Sequence, residues 1–385
     1  MKKIIRTSTI PGSLNNFCRG MLSELKEKYE VVAVSTPGPA LIELAEREGV
    51  RTIAVPMERH ISLWKDLVSL FRMIRVFLIE RPTMVHSMTP KAGLISMLAA
   101  WLTGVPVRVH TFTGLVWPTS TGLKRKILML TDKLTCACAT HIIPEGEGVK
   151  NDLIKGGITK KPLQVLGYGS CKGIDLERFR PIEKGPSQAL PVGARDRKGV
   201  FTFLFVGRIV KDKGINELVE AFVKLHREHP DTRLVLVGRF EDGLDPVEPT
   251  TKTLIEQVEN GIEAVGEKRG DELLTYYASS DCYVQPSYRE GFPNTVLEAG
   301  AMGLPCIVTD INGSREIIIN SQNGLIVPSK DANALHDAMK EMLTNTDARA
   351  FMAKNARPLI AQRFEASFVR SCLYDFYDQI LKDNK

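Results

Sequence analysis

The sequence has 385 residues and a formal net charge of +6, with 43% hydrophobic and 25% charged residues. These values exclude extended disorder, a collagen-like fibre and a small disulfide-stabilised scaffold. At roughly 150 residues per domain, the length predicts two domains or three small ones.

The N-terminus, the apolar stretches and the cysteines favour a cytoplasmic protein. Residues Met1–Arg6 begin basic and then apolar, but the apolar part ends too soon for a signal peptide, so we expect a first β-strand there. The uncharged stretch Ala92–Val107 is shorter than the ~18–20 residues of a spanning helix and predicts a buried helix. The seven cysteines form no C-x-x-C pair, which indicates reduced structural thiols.

Apolar runs that alternate with helical spacing predict β-α-β units along the chain. In the first half, strands are predicted at Lys3–Arg6, Val31–Ser35, Thr52–Val55, Met84–His86, Val107–Phe112 and His141–Ile143. Helical spacing there is clearest at Phe17–Lys28, Ala40–Glu48 and Trp64–Ile79. In the second half, strands are predicted at Phe201–Val206, Arg233–Val237, Cys282–Gln285, Cys306–Val308 and Gly324–Val327. Helices are predicted at Ile215–Arg227, Asp271–Ala278, Thr295–Met302, Asp331–Leu343 and Phe368–Leu381.

Such units build parallel sheets with helices on both faces, and the segment Ile182–Lys198 separates two of them. This segment is rich in proline and glycine and has no clear periodicity, which is typical of a linker. We predict one doubly wound domain at residues 1–185 and another at 186–361, with a C-terminal helix at about 362–385 that packs back on the first. Ligands of such sheets bind at the carboxyl ends of the strands, so a cleft between the domains is the expected site.

Charge is distributed unevenly between the two halves. Residues 1–180 hold 26 Lys and Arg against 15 Asp and Glu, and the remaining residues are net acidic. The basic half favours a phosphorylated ligand, an anionic membrane surface or a nucleic acid. A solvated basic face without a partner explains the same count, so both interpretations stay open at this point.

Two cations follow the predicted strand Phe201–Val206. Gly207 allows a tight turn, and Arg208 and Lys213 then lie on a strand-to-helix loop beside the positive end of a helix. Two cations in that position suit a diphosphate, although two surface cations without a ligand would give the same pattern.

A second motif, E-G-F-P-N-T-V-L-E-A, occupies Glu290–Ala299. Asn294 is a favourable N-cap residue, so the first-turn amides near Asn294 and Thr295 can bind phosphate oxygens. Glu290 precedes this helix and Glu298 lies in its second turn. The two carboxylates can therefore accept hydrogen bonds from separate sugar and ribose hydroxyls, although Glu298 alone also fits a salt-bridge residue.

These motifs resemble those of the retaining glycosyltransferases of family 4, which have the two-domain GT-B fold. The chain has the family's E-x7-E element at Glu290–Glu298 and its G-R…K-G element at Gly207–Gly214. The run Gly167–Phe179 resembles the family's G-x-G-S-x-x-G-V-D-x-x-R-F block. His86–Gly93 is similar to the H-S-H-T-P-K-A-G segment of bacterial polysaccharide and glycan-assembly members.

The resemblance implies roles for residues of the second domain. Arg208 and Lys213 would bind the diphosphate of a nucleotide sugar, in particular a UDP-sugar, and stabilise the leaving group. Glu290 would contact hydroxyls of the donor sugar, and Glu298 would hold the ribose. The segment Ile262–Gly266 aligns with the family's base-contacting strand. Further donor contacts are expected from Gly207, Gly266, Gly291, Phe292, Pro293, Asn294 and Thr295.

The resemblance also implies that the first domain binds the acceptor, a glycan or a lipid-linked sugar. Gly12 and Ser13 stand where the family often has a glycine-rich loop facing the donor phosphates. His86 ends a predicted strand, where it either points into the cleft or is a buried, hydrogen-bonded histidine. Many members place a histidine near the reacting sugar, and Thr113 occupies that position here, with His110 three residues earlier as the other candidate.

The resemblance further implies a retaining hexosyl- or N-acetylhexosaminyltransferase of cell-surface polysaccharide or glycan assembly. No Asp-x-Asp pair occurs in the sequence, so we expect neither a metal ion nor a cofactor. The two cations would stabilise the leaving phosphate instead.

The segment Leu63–Ile79 predicts a basic amphipathic helix, with Lys65, Arg72 and Arg75 on one side. Lys124–Lys126 adds a second basic cluster. A lipid-diphosphate acceptor would account for both, so we expect peripheral attachment at the inner face of an anionic membrane. A core-facing helix with solvated arginines is the alternative.

Other functions predict features that can be compared with this sequence. Nucleic-acid binding is not expected, because no helix-turn-helix, zinc or RNA-sheet motif is visible. A nicotinamide dehydrogenase would have G-x-G-x-x-G after the first strand, where this chain has Thr9–Leu14. A non-hydrolysing sugar-nucleotide epimerase of the same fold and a non-catalytic sugar-nucleotide-binding scaffold stay open as alternatives.

Overall fold

The computed structural model describes residues 1–58, 62–181, 199–241, 243 and 245–383. It divides into a first unit, Met1–Lys172 with Ser367–Lys385, and a second unit, Gly173–Ala366. The predicted linker, residues 182–198, lies outside the described residues.

The first unit contains six strands: β1 (Lys3–Thr7), β2 (Glu30–Ser35), β3 (Arg51–Ala54), β4 (Met84–Met88), β5 (Val107–Phe112) and β6 (His141–Pro144). Its helices are α1 (Pro11–Phe17), α2 (Met21–Leu25), α3 (Pro39–Glu48), α4 (Leu63–Glu80), α5 (Pro90–Leu102), α6 (Gly122–Cys138) and α7 (Glu147–Lys155). The strands form one parallel sheet in the order β3-β2-β1-β4-β5-β6. Every residue of β4 is buried, as expected for a parallel strand covered on both faces.

The second unit contains β7 (Phe201–Val206), β8 (Thr232–Val237), β9 (Ile262–Gly266), β10 (Cys282–Gln285), β11 (Cys306–Thr309) and β12 (Gly324–Val327). Its helices are α8 (Ile215–Glu228), α9 (Pro249–Glu256), α10 (Gly270–Ala278), α11 (Asn294–Ala301), α12 (Ser314–Ile317), α13 (Ala332–Thr344) and α14 (Thr346–Phe364). The sheet is parallel, in the order β12-β11-β10-β7-β8-β9. Numbered within its own unit, each sheet has the doubly wound order 3-2-1-4-5-6, which confirms the predicted fold class.

All strands predicted from apolar runs are present, and the buried helix predicted within Ala92–Val107 corresponds to α5. The helix predicted over Phe17–Lys28 is wrong. The chain forms α1 and α2 there, because Gly20 between them has a left-handed φ of 71° that interrupts a helix. None of the described helices is long and apolar enough to span a bilayer.

The sequence pattern does not predict helices α6, α7, α9, α12 and α14. Helix α14 shows why, because its core contacts repeat only every fourth residue and it contains Pro358. Its buried residues are Met352, Ala356, Ile360 and Phe364, a narrow stripe. Pro358 lies on the exposed side, where water can bond the carbonyl that a proline leaves unpaired.

The segment that follows Lys172 packs within the second unit, so the boundary falls before the predicted residue 185. The Ile174 amide donates to the Phe364 carbonyl at 2.8 Å, and the Ala366 amide donates to the Ile174 carbonyl at 2.9 Å. Arg357 of α14 also donates to the Leu176 carbonyl at 2.9 Å. These bonds attach Gly173 and the residues after it to α14.

The last helix, α15 (Ala366–Lys382), packs on the first sheet through a buried polar cluster. Arg6 of β1 is 1% exposed and donates to the Tyr377 hydroxyl at 2.5 Å and to His86 Nδ1 at 2.8 Å. The Tyr377 hydroxyl also hydrogen-bonds with His86. Within the part of the chain that the structure describes, Arg6 has no carboxylate partner. A buried guanidinium with neutral partners depends strongly on each of them.

Tyr377→Phe is expected to lower the free energy of unfolding by about 1–3 kcal/mol, because Arg6 and His86 lose a buried hydroxyl partner. Tyr374→Phe on the same helix is the matched control, since its hydroxyl bonds Glu24 at an exposed edge. We expect less than about 1 kcal/mol for the control. Urea denaturation measures both, and equal losses would contradict the role of the buried cluster.

The buried carboxyl of Asp132 in α6 is expected to make the stability of the protein depend on pH. The carboxyl is 8% exposed, and burial raises its pKa to about 7. Between pH 4 and 7 the folded state keeps a proton that the unfolded state has released, so this group lowers stability as the pH rises. Above pH 7 both states are ionised and the penalty is constant.

Asp132→Asn is therefore expected to match the parent protein at pH 4 and to exceed its stability at pH 8 by about 2–4 kcal/mol. Denaturant titrations of both proteins at the two pH values provide the measurement. A difference between the proteins that does not change with pH would show that Asp132 titrates normally.

Candidate functional site

The motif residues of the second unit meet at the carboxyl edge of its sheet. β7 and β10 are neighbouring parallel strands, so the loops that follow them leave the same edge side by side. Gly207 and Arg208 follow β7, and the E-x7-E element follows β10. Gly266 ends β9 at this edge, and its contact with a base stays a prediction.

Two glycines allow the close backbone packing at this edge. Gly214 has a left-handed φ of 70°, and a Cβ there would lie 2.0 Å from the Pro286 carbonyl oxygen. A Cβ on Gly238 would lie 1.7 Å from the Gly207 oxygen, while its amide donates to the Gly266 carbonyl at 2.9 Å. Side chains at these positions would force the loops apart.

An ion pair joins the two motifs. The Lys213 ammonium lies 2.5 Å from Glu290 Oε1, and the two side chains are 16% and 15% exposed. One residue earlier in each motif, Arg289 pairs with Asp212 at 3.1 Å. The Tyr288 amide also donates to the Asp212 carbonyl at 2.8 Å. These contacts therefore hold the loop of the G-R…K-G element against the loop of the E-x7-E element.

Glu290 is held by neutral donors as well as by Lys213. Its Oε1 accepts from Gln285 Nε2 at 2.9 Å and from the Ser287 hydroxyl at 2.8 Å. Its Oε2 has no hydrogen-bond partner among the residues that the structure describes. One carboxylate oxygen is thus fixed by the protein and the other remains able to accept from a ligand.

Arg208 is the more accessible cation. Its side chain is 41% exposed and pairs with Glu241 at 2.8 Å, and Arg239 also contacts Glu241 at 3.1 Å. A guanidinium at a sheet edge can bind phosphate oxygens through two parallel hydrogen bonds. An anionic ligand would compete with Glu241 for it.

Helix α11 begins differently from the prediction. Pro293 occupies the N-cap position and Asn294 is the first helical residue, because the Val296 amide already donates to the Pro293 carbonyl. Asn294 and Thr295 therefore lie in the first turn, where amides of a helix are available to an anion. Gly291 is partly exposed, whereas Phe292 and Pro293 are buried beneath the turn.

Glu298 is anchored by the buried hydroxyl of Tyr277, which donates to its Oε2 at 2.9 Å. Burial, together with the Glu298 charge, raises the pKa of Tyr277 well above its usual value, so the tyrosine stays a donor. Glu298 therefore lies one α11 turn beyond the amides of Asn294 and Thr295, in an orientation fixed by the core.

Of the residues proposed in the first unit, Gly12 and Ser13 belong to helix α1 and not to an open loop. A Cβ on Gly12 would meet nothing within 4 Å, so space is available above it. Both residues follow the carboxyl end of β1.

The two histidines of the first unit are buried, which does not fit the expectation that their rings contact a substrate. His86 is 1% exposed, and its Nε2 hydrogen-bonds with the Thr111 hydroxyl at 2.7 Å, so it is the buried, hydrogen-bonded alternative. His110 is also 1% exposed, and its Nδ1 bonds with the Ser87 hydroxyl at 2.8 Å. A Cβ on Gly93 would lie 2.3 Å from the His110 ring, which explains this glycine.

Both histidines are neutral at physiological pH. Burial lowers the pKa of His110 to about 3, and burial together with the Arg6 charge lowers the pKa of His86 well below its usual value. Neither ring can supply a positive charge to a ligand. We assign both to the core of the first unit.

The first unit has an exposed apolar and basic surface on three adjacent helices, which we call the α4–α6 surface. α4 and α6 each pack against α5. The exposed apolar side chains are Leu63, Trp64, Leu67, Phe71, Leu78 and Ile79 on α4, Trp101 and Leu102 on α5, and Leu123, Ile127, Leu130 and Leu134 on α6. Exposed cations lie among them: Lys65, Arg72, Arg75, Lys124, Arg125, Lys126 and Lys133. Apolar exposure on this scale marks an interaction surface.

The sequence pattern predicted this surface only in part. The spacing of Leu63–Ile79 was read correctly as amphipathic, and its inner side is formed by Ser69, Met73 and Phe77. The sequence predicts the cations Lys124–Lys126 of α6 but not the exposed apolar residues of α5 and α6, because α5 is predicted as a buried helix and α6 is not predicted. Gln285 and Ser287 were also missed, although a glutamine that ends the apolar run C-Y-V-Q is a signal for a buried polar contact.

No group of three or more His, Cys, Asp or Glu side chains within the described ranges is arranged to hold a metal ion. All seven cysteines are free thiols, and Cys18, Cys136, Cys138, Cys282 and Cys306 are buried.

Comparisons with known proteins identify the family. Residues 192–358 match the family of glycosyl transferases group 1, and residues 12–169 match the glycosyl transferase 4-like domain. The capsular polysaccharide biosynthesis glycosyltransferase CapM of Staphylococcus aureus is 31% identical over 100% of this chain and 99% of its own length. The UDP-Gal:alpha-D-GlcNAc-diphosphoundecaprenol alpha-1,3-galactosyltransferase of Escherichia coli is 30% identical over 88% and 86%.

A solved structure agrees with this assignment at the level of the fold. Anabaena Alr3699/HepE in complex with UDP superposes with a TM-score of 0.80 over 98% of this chain and 100% of its own, at 16% identity. The resemblance seen in the motifs is confirmed: the chain belongs to glycosyltransferase family 4, has the GT-B fold and is a glycosyltransferase.

Proposed function

We propose that the protein transfers a hexosyl or N-acetylhexosaminyl group from a UDP-sugar to a lipid-diphosphate-linked glycan at a membrane surface. We propose further that transfer proceeds with retention of configuration and without a metal ion or cofactor. The observation that carries the proposal is the junction of Lys213, Glu290 and the first turn of α11 at one sheet edge.

The junction suits the chemistry of a nucleotide sugar. Sugar transfer develops positive charge on the sugar ring and negative charge on the departing phosphate. Lys213 and Arg208 are held in place before the ligand arrives and would stabilise the phosphate charge by preorganised electrostatics. The first-turn amides of α11 carry partial positive charge and would stabilise the phosphate in the same way. These groups supply the charge that a metal ion provides in other transferases, which supports metal-independent transfer.

The carboxylates suit the sugar and the ribose. Glu290 Oε2 would accept from donor-sugar hydroxyls, and Glu298 would accept from ribose hydroxyls. With retention, the acceptor oxygen bonds to the anomeric carbon on the face from which the phosphate oxygen leaves, and the acceptor proton passes to that phosphate oxygen. Family resemblance supports this course.

Two relatives support the substrate classes. The name of the Escherichia coli relative states a UDP-galactose donor and a diphosphoundecaprenol-linked acceptor, and CapM is named for capsular polysaccharide biosynthesis. Both are transferases, so the epimerase and the non-catalytic scaffold are not favoured. By analogy we propose a UDP-sugar donor and a polyprenyl-diphosphate-linked acceptor for this protein.

The α4–α6 surface supports peripheral membrane attachment. Trp64 and Phe71 are 75% and 63% exposed, and Arg72 and Arg75 are exposed on the same helix. Aromatic side chains insert at the headgroup level while cations attract anionic lipids. The first unit would then bring the catalytic site to a lipid-linked acceptor at the inner face of the membrane.

The function is tested with radiolabelled UDP-glucose, UDP-galactose, UDP-N-acetylglucosamine and UDP-N-acetylgalactosamine, each with a polyprenyl-diphosphate sugar. We expect label to enter the lipid fraction only when the acceptor is present. An epimerase would convert the nucleotide sugar without acceptor, and a scaffold would leave it unchanged.

Lys213→Ala is expected to lower kcat by about two to three decades, because the leaving phosphate loses one charge-stabilising group. Lys211→Ala is the matched control, since Lys211 lies on the same turn but points to Glu248 at 3.4 Å. We expect the control to retain activity within about threefold, on the scale of a surface pair. A folded Lys213→Ala protein with unchanged turnover would refute the role of Lys213.

The membrane proposal predicts that Arg72→Gln/Arg75→Gln weakens binding to vesicles containing phosphatidylglycerol by about 30-fold, at about 1 kcal/mol for each lost cation. Trp64→Gln should weaken it at all salt concentrations, because the loss is apolar and no charge changes. Phe351→Gln, at a 56% exposed site of the second unit, is the matched control. Flotation provides the measurement, and a parent protein that stays unbound at low salt would rule out the proposal.

A further inference from the structure

Gln285 is a buried amide whose hydrogen bonds connect the core of the second unit to the candidate site. It ends β10 and is 2% exposed. Its Oε1 accepts from the hydroxyls of Tyr283 and Thr295, the latter at 3.1 Å. Its Nε2 donates to the Ser287 hydroxyl at 2.8 Å and to Glu290 Oε1 at 2.9 Å. An ionised carboxylate only accepts, so the amide nitrogen must face Glu290.

These bonds determine which oxygen of Glu290 is available. Oε1 accepts three hydrogen bonds, from Lys213, Gln285 and Ser287, which uses its capacity. Over the described residues, Oε2 receives none. The carboxylate is therefore held by one end, with the other end presented to a ligand.

Lys213 cannot hold Glu290 alone once a donor is bound, because the proposed function assigns its charge to the diphosphate. Gln285 and Ser287 carry no charge that a phosphate would attract, so their bonds to Oε1 persist. Gln285 also contacts Thr295 in the first turn of α11. One amide therefore ties the sugar-facing carboxylate to the helix start that faces the phosphates.

We propose that Gln285 is a positioning residue that aims Glu290 Oε2 at the hydroxyls of the donor sugar and so sets the affinity for the sugar portion of the donor. The inference rests on the proposed function, because it assumes that Glu290 meets the sugar. Gln285 itself is buried, so in this proposal it acts through Glu290.

The test compares Kd for UDP with Kd for the UDP-sugar that the transfer assay selects, measured by titration calorimetry. UDP lacks the sugar, so the ratio of the two Kd values isolates the sugar contribution. Gln285→Met, which removes the amide at similar volume, is expected to weaken UDP-sugar binding about tenfold relative to UDP. This is the scale of one hydrogen bond to a charged group.

A double-mutant cycle separates positioning from a merely structural effect. In a Glu290→Gln background, Gln285→Met should change the ratio by less than twofold, because its effect passes through the carboxylate. Cys282→Ala is the structural control, since it opens space on the opposite face of the same strand. Its ratio should equal that of the parent protein.

Gln285→Glu provides a second variant of the same shape. Protonated, the new carboxyl can donate to Glu290 Oε1 as the amide does, and ionised, it repels Glu290. We expect UDP-sugar affinity relative to UDP to approach the parent value at pH 5.5 and to fall about tenfold by pH 8, whereas the parent ratio stays constant.

The outcomes distinguish the two proposals. A parent protein that binds neither UDP nor any UDP-sugar contradicts the proposed function and this inference with it. A parent protein that binds them, with ratios unchanged by Gln285→Met or changed equally in the Glu290→Gln background, contradicts the inference alone.

Discussion

Beside the pair of Arg289 with Asp212, an ion pair between Lys213 and Glu290 joins the two loops that carry the candidate site. The pair forms because β7 and β10 are parallel neighbours, so loops that are 77 residues apart in the chain leave the sheet side by side. Both side chains are largely buried, where solvent screens their attraction less than at the surface. Each charge therefore keeps the other in position before a ligand arrives, and the missing side chain of Gly214 lets its turn approach the Pro286 carbonyl.

The strands were predictable from the sequence, whereas several helices were not. A parallel strand buried on both faces appears as a largely apolar run, and Phe201–Val206 was located to the residue in this way. Val107–Phe112 was also located to the residue, although it contains Arg108 and His110. Helix α14 contacts the core through every fourth residue and tolerates Pro358 on its exposed side, so its pattern is weak. The left-handed backbone conformation of Gly20 separates α1 from α2, and the spacing of apolar residues does not reveal such a conformation.

The motifs identify individual residues of the candidate site, but they do not show which side chains contact each other in the folded protein. Lys213 and Glu290 were named from their motifs, but nothing in the spacing shows that they touch. His86 is predicted to end its strand, but β4 continues to Met88. The rings of His86 and His110 are enclosed by Arg6, Thr111 and Ser87. Burial of this kind depends on which helix covers the strand, and no local pattern records it.

The resting pairs also determine which anions the site favours. Glu290 and Glu241 already compensate Lys213 and Arg208, so a phosphate would compete with a carboxylate for each cation. Inorganic phosphate would pair with Lys213 but leave the Glu290 carboxylate without its cation. This costs free energy because the carboxylate is partly buried. A ligand that carries phosphate and sugar hydroxyls at the right separation satisfies Lys213 and Glu290 together. If the proposed function holds, the ion pair would oppose simple anions and favour a phosphate joined to a sugar, which is the chemistry of a nucleotide-sugar donor.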